Sequence, residues 1–175
     1  MKKGLVHIYT GDGKGKTTAA VGLAVRSAGY GKKIYILQFL KGRKTGEKKF
    51  FEKVTDITLE RANKSTKFFF QMSDEEKQKV FAETKKVWDK LKDIVRDGEY
   101  EVVILDEIME AIANGLVQTG QVKELIAIKD ESLELILTGR DAPEELVELA
   151  DYVTEMKMIK HPYNRQIPAR KGIEF

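Results

Sequence analysis

The chain has 175 residues, no cysteine and two histidines, His7 and His161, which excludes a disulfide framework, a thiolate metal site, a cysteine nucleophile and a histidine-rich zinc site. Charged residues make up 34 %, yet the formal net charge is only +3, too little to argue for a nucleic-acid partner. No apolar run approaches the ~20 residues of a membrane span, and residues 1–30 lack the shape of a signal peptide, so the expectation is a soluble, cytoplasmic protein with no membrane partner, forming one domain over residues 1–175.

Residues 5–9 (LVHIY) are a short apolar run ending at glycines, which predicts a buried strand containing His7 as a satisfied core histidine. Thr17 to Ala28 is rich in alanine and valine at helical spacing, and Gly29 and Gly31 supply its stop. A second strand is predicted at 33–39 (KIYILQF) and a weaker third at 54–59 (VTDITL). Between them Lys41, Arg43, Lys44, Lys48, Lys49 and Lys53 cluster with only Glu47 and Glu52 among them, the pattern of a solvated loop face. A long helix starts after Ser73, where Ser73 and Glu76 make a capping box; Val80, Phe81, Val87, Trp88, Leu91, Ile94 and Val95 form its apolar face. Then come a strand at 101–106, helices near 107–115 and 119–128, a strand at 133–138, a helix opened by Pro143 and running to about Ala150, and a last short strand at 152–156. Strands with little polar alternation, separated by helices, predict an α/β fold with a mostly parallel sheet covered on both faces. Lysine supplies 24 of the 31 basic residues and glutamate 18 of the 28 acidic ones, the composition reported for heat-adapted proteins.

The first strand–helix junction reads TGDGKGKTT over residues 10–18. Gly15-Lys16-Thr17 matches the end of a P-loop, whereas Thr10 stands where its first glycine belongs. Gly11, Gly13 and Gly15 let the backbone turn so that N–H groups of Asp12, Lys14 and their neighbours converge on an anion, and the following helix adds the positive end of its dipole. Lys16 would lie along the phosphates, and a Thr17 or Thr18 hydroxyl could ligate Mg²⁺. The apolar run 102–105 ends in Asp106-Glu107, the form of a Walker B strand that brings carboxylates beside the metal. Arg140 follows the strand at 133–138 and would emerge at the same carboxyl edge. These residues predict a Mg²⁺-dependent nucleotide-binding protein without naming an acceptor: a phosphotransferase, an ATPase and a nucleotide-gated binding module recruiting a partner through the basic 41–53 segment all remain open.

TGDGKGKTTAA (10–20), QFLKG (38–42), LDE (105–107), LTGRDAPEELVELADYVTEMKMIKH (137–161) and the closing GIEF (172–175) resemble the ATP:corrinoid adenosyltransferases, the cob(I)alamin adenosyltransferases of the P-loop type. The resemblance implies a RecA-like P-loop NTPase fold and an acceptor that needs no general base, because the Co(I) of a reduced corrinoid attacks the 5′ carbon of ATP and displaces tripolyphosphate. It implies that the amides of Gly13 and Gly15, with Lys16, grip the leaving group and that Thr17, Asp106 and Glu107 hold Mg²⁺ or Mn²⁺. Lys16, Glu107 and Arg140 become the catalytic set, and Gly11 through Thr18 the ATP-binding set. Phe68 and Phe70 resemble the aromatic residues that pack under the corrin ring and displace its lower axial ligand, although Phe70 stands where a tryptophan is expected. Asp141, Gln166 and Arg170 are further departures from the family pattern, and Lys160-His161 matches a family element. The resemblance further implies a homodimer and a flavoprotein reductant as outside partner, and with three residues before Gly4 the N-terminal extension that covers the nucleotide in some members is expected to be absent.

Overall fold

The computed structural model describes residues 3–40 and 45–174. Its six strands are β1 (Val6–Thr10), β2 (Ile34–Gln38), β3 (Ile57–Arg61), β4 (Val102–Asp106), β5 (Glu134–Thr138) and β6 (Tyr152–Glu155). They form one sheet in the order β3-β2-β4-β5-β1-β6, and every adjacent pair is parallel. The helices are α1 (Lys16–Ala28), α2 (Gly46–Phe51), α3 (Asp74–Arg96), α4 (Ile108–Ala113), α5 (Thr119–Ile128) and α6 (Glu144–Val147).

Alternate residues of each inner strand feed two separate cores, as the period of two requires. Tyr35, Leu37, Val103, Leu105, Leu135 and Leu137 face one side with Trp88, Leu91 and Val95 of α3. Ile34, Ile36, Val102, Ile104 and Ile136 face the other with Ala20 and Ala24 of α1. Burial on both faces explains why these strands read as continuous apolar runs. Because all strands run the same way, the residues after β1, β4 and β5 emerge at one edge, and β5 lies between β4 and β1.

The predicted elements are present with four adjustments. β3 begins at Ile57 rather than Val54, since Val54 closes a turn after α2 (Val54 N to Phe51 O, 3.0 Å) and the register is set by Ile34 opposite Ile57. A helix, α2, occupies part of the segment read as a loop; it buries Phe51 and leaves Lys49 exposed. Of that basic cluster, Lys41, Arg43 and Lys44 lie outside the described residues. α6 stops at Val147 because Leu149 and Ala150 donate to carbonyls three residues back, tightening the chain before Asp151 N bonds Val6 O. The capping box of α3 is formed, with Glu76 N on Ser73 Oγ at 3.2 Å and Ser73 N on Glu76 Oε2 at 2.9 Å. On its apolar face Phe81 is 40 % exposed, an exception to the expected burial. His7 is satisfied within the sheet, 3.0 Å from Glu134 Oε2 and stacked on Tyr152. No helix among the described residues is long and apolar enough to cross a membrane.

Candidate nucleotide site

The loop from Thr10 to Lys16 is shaped by the chain that follows β6. Gly13 N donates to Met156 O at 2.7 Å, Met156 N to Thr10 O at 2.8 Å, and Met158 N to Asp12 Oδ1 at 3.0 Å. A Cβ on Gly11 would stand 2.5 Å from Met156 O, and one on Gly13 2.6 Å from the same oxygen. Both glycines are therefore demanded by close backbone approach, and Gly11 and Gly15 also carry positive φ values of 97° and 123°. This corrects one expectation: the Gly13 amide does not point at an anion, because its hydrogen goes to Met156. Asp12 likewise spends one carboxylate oxygen on the Met158 amide. Thr10 needs no glycine conformation, and its Oγ1 accepts from Ala142 N at 3.2 Å, tying the loop to the turn after β5. The amides at the start of α1 lack intrahelical acceptors, as in every helix, and Lys16, Thr17 and Thr18, which carry them, line a cavity.

Lys16 curls over this loop, its Nζ donating to Gly11 O at 2.6 Å and Gly13 O at 2.8 Å. Burial lowers its pKa below the ordinary lysine value and the Arg140 charge lowers it further, opposed by Glu110, Asp12 and Glu107. Arg140 follows Gly139, whose φ of 146° suits only glycine, and Gly139 N is held by Tyr9 O at 3.1 Å. Neither Lys16 nor Arg140 is ion-paired with a carboxylate among the described residues.

Asp106 ends β4, only 1 % exposed. Its Oδ1 accepts from Thr17 Oγ1 and from Thr138 Oγ1, each at 2.8 Å, and its Oδ2 from Gln38 Nε2 at 3.2 Å. The same Thr138 hydroxyl accepts from Glu107 N at 2.9 Å, so three strand ends are bolted through one carboxylate. Glu107 adopts the left-handed region (φ 63°, ψ 30°), a cost for a non-glycine residue that concentrates at functional sites. No group of three or more His, Asp or Glu side chains suited to a metal occurs among the described residues. Thr17, Asp106 and Glu107 are hard oxygen donors, too few to cage a cation alone. That set fits Mg²⁺ or Mn²⁺ completed by phosphate oxygens and water.

Asp12 to Thr18, Glu107 and Arg140 line one cavity of about 360 Å³, whereas Gly11 and Asp106 are not part of its lining, Asp106 being buried and bonded to Thr17. Four further side chains border the cavity that the sequence left without a role: Glu110, Thr138, Ile173 and Glu174; His161, which matches a family element, borders it too. Glu110 lies in the first turn of α4, three residues past the left-handed cap Glu107, and both residues line the cavity. Glu174 carries no local signal. Its Oε1 accepts from Lys14 Nζ at 3.2 Å and from Arg170 Nη2 at 2.9 Å, and the Arg170 guanidinium holds its carboxyl down to about 2. His161 Nδ1 accepts from Tyr163 N at 3.1 Å, leaving its other nitrogen for the neutral ring's proton.

Phe68 and Phe70 stand apart from this cavity. They are 54 % and 78 % exposed and stack on each other at 5.6 Å between centroids, 15° from parallel. Between them Phe69 turns inward against Phe81 and the core. The three consecutive aromatics thus divide, one for packing and two presented as a flat apolar surface.

The family model for "ATP:corrinoid adenosyltransferase BtuR/CobO/CobP" matches residues 2–175. A corrinoid adenosyltransferase of Sinorhizobium sp is 36 % identical over 176 residues, covering 99 % of this chain and 81 % of that protein. One from Escherichia coli K12 is 31 % identical over 175 residues, covering 99 % and 87 %. Among solved structures, a KaiC-like protein of Pyrococcus horikoshii superposes with a TM-score of 0.54 at 16 % identity, over 92 % of this chain and 76 % of that one. That likeness concerns the fold alone, which is RecA-like: a P-loop α/β domain around a parallel sheet.

Proposed function

This chain belongs to the ATP:corrinoid adenosyltransferase family, and on that premise we propose that it transfers the 5′-deoxyadenosyl group of ATP to the Co(I) of a reduced corrinoid and releases tripolyphosphate. The observation that carries the reading is the pair of cations, Lys16 and Arg140, bordering one cavity without carboxylate partners among the described residues. In the reaction the cobalt's electron pair forms the bond to C5′, and the C5′–O bond breaks with its electrons going to the triphosphate. Negative charge grows on the leaving oxygen, and no proton has to be removed from the nucleophile. The protein's task is to hold C5′ in line and to neutralise that charge with preorganised donors.

Lys16 leaves the Gly11 and Gly13 carbonyls to meet phosphate, Arg140 approaches from the β5 turn, and the amides of Lys14, Gly15 and Lys16 complete the cradle. Thr17, Asp106 and Glu107 would hold Mg²⁺ or Mn²⁺, which supplies further neutralisation of the triphosphate when bound. Phe68 and Phe70 offer the corrin ring an apolar face, and pressing the ring against them excludes the lower axial ligand. Residues 1–175 act as one domain in this reading, and the protein is cytoplasmic, with a flavoprotein as the source of reducing electrons. A homodimer belongs to the same reading; its support is the open edge of β6, where Tyr152 and Val153 are exposed beside Leu149 and Met158.

The test is an anaerobic mixture of protein, ATP, Mg²⁺ and chemically reduced cobalamin. A light-sensitive alkylcobalamin spectrum with equimolar tripolyphosphate supports the proposal. Release of ADP instead would move the chain to the phosphotransferases or ATPases, and nucleotide binding without either product would leave a binding module.

A further inference from the structure

Glu110 lies in the first turn of α4, the helix that follows β4, bordering the cavity that holds Lys16 and Arg140. Its Oε1 accepts the amide hydrogen of Arg140 at 3.1 Å. Its Oε2 is buried and has no hydrogen-bond partner. Gly139, the residue before Arg140, is packed directly on it: a Cβ there would stand 2.4 Å from Oε2 and 2.5 Å from Met109 Cβ. The carboxylate is therefore wedged against the turn that carries the arginine.

That placement is costly for a side chain that does nothing but fill space. A buried carboxylate oxygen without a partner forfeits its hydration, and an apolar side chain would fill the volume without that loss. It is also unfavourable for a pocket that only has to attract polyanions, because a negative charge beside phosphate repels it. What the carboxylate does supply is a fixed backbone for Arg140. The guanidinium is exposed and shares the cavity with the Lys16 ammonium, so mutual repulsion favours its swinging out to water. Gly139 gives the turn extra freedom to follow, since glycine alone tolerates its conformation.

We infer that Glu110 is a positioning residue: by accepting the Arg140 amide hydrogen and buttressing Gly139, it holds the turn after β5 so that the Arg140 guanidinium faces the phosphates of a bound nucleotide. This rests on the proposed role of Arg140 as a phosphate-binding group. Coulomb's law and positioning predict opposite signs for loss of the carboxylate. Removing a negative charge from beside a polyanion tightens binding; releasing Arg140 weakens it.

The experiment is calorimetric binding of tripolyphosphate, with Mg²⁺, to the full-length protein and to the variants Glu110→Leu, Glu110→Gln and Arg140→Ala, singly and combined. A readout without corrinoid keeps the outcome independent of the transfer reaction. Arg140→Ala weakens binding, Glu110→Leu weakens it by about tenfold, the scale of one charge-assisted hydrogen bond, and Glu110→Gln, whose amide carbonyl still accepts, binds as well as the parent or better. In the Arg140→Ala background Glu110→Leu adds no further weakening, because its effect passes through the arginine. Equal losses in both backgrounds, or tighter binding by Glu110→Leu, overturn the inference and leave Glu110 as packing. No loss in Arg140→Ala alone overturns the role of the arginine and the inference with it. Should Glu110→Leu fail to fold, Glu110→Asp replaces it: one carbon shorter, it withdraws the acceptor from Arg140 N and must reproduce both the loss and its disappearance in the double variant.

Discussion

Replacing Thr138 by valine tests the bolt that joins the three strand ends at the site. The hydroxyl donates to Asp106 Oδ1 at 2.8 Å and accepts from Glu107 N at 2.9 Å, in a residue 1 % exposed. Valine keeps the branching and nearly the volume but cannot make either bond. A hydrogen bond to a charged group contributes about 1.5–3 kcal/mol, and orphaning a buried amide costs roughly 1–3 kcal/mol more. Asp106 retains its bonds from Thr17 and Gln38, which limits the first loss, so the expected destabilisation is about 2–4 kcal/mol. With a urea m-value of roughly 2 kcal/mol per molar, the midpoint falls by about 1–2 M at unchanged slope. Thr138→Ser, which keeps the hydroxyl, retains most of the stability. The assay is urea unfolding followed by Trp88 fluorescence. A midpoint shift for Thr138→Val below about 0.3 M, equivalent to roughly 0.6 kcal/mol, would refute the argument that this hydroxyl carries the junction.

Lys16→Ala abolishes adenosyl transfer while leaving the unfolding free energy within about 0.5 kcal/mol of the parent; full activity in that variant would remove the P-loop from the mechanism. Phe70→Ala slows reaction starting from Co(II) much more than from prereduced Co(I), and equal losses in stopped-flow traces of both would argue against ligand displacement by the aromatic pair. Glu174 titrates near 2 in the folded chain, below the ordinary 4.5 of a glutamate. The contribution of its bonds to Arg170 and Lys14 is thus complete above pH 4.5 and lost as pH falls toward 2. Amide order parameters of Ile173 and Glu174 drop across that window, and Glu174→Gln shows the low values already at neutral pH; rigid amides at both ends would sink the idea.

The residues most readable in the sequence were those whose partners are near in the chain. The capping box at Ser73 and Glu76 and the Gly15-Lys16-Thr17 turn are local patterns, and both stand in the structure as expected. The parallel sheet was readable because strands buried on two faces must be apolar throughout. The start of β3 was not, because Val54 and Ile57 are equally good strand residues and only pairing with Ile34 decides between them. The α2 helix was hidden by lysines that serve equally in a loop or on a helix's wet face. At the site, the residue types were legible and their bonding was not. Nothing in TGDGKGK says that the Gly13 hydrogen is committed to Met156, 143 positions on, and nothing in GIEF says that Glu174 reaches Lys14, because such contacts follow from how the sheet brings remote segments together. Glu110 was not legible either, because its bond to Arg140 depends on the β4–β5 pairing.

The seam between the P-loop and the segment after β6 bears on how the protein is made. Ribosomal synthesis delivers Gly11 and Gly13 early, whereas the Met156 and Met158 groups that shape their loop arrive when the chain is nearly finished. A nascent chain ending near residue 150 already contains the other five strands but not β6, so it can collapse around its two cores while its nucleotide loop still lacks the bonds to Met156 and Met158. The final shape of that loop is then a late event in biogenesis, completed when the last strand docks. An incomplete chain released from the ribosome would be folded in bulk and yet lack the bonds that close its nucleotide loop.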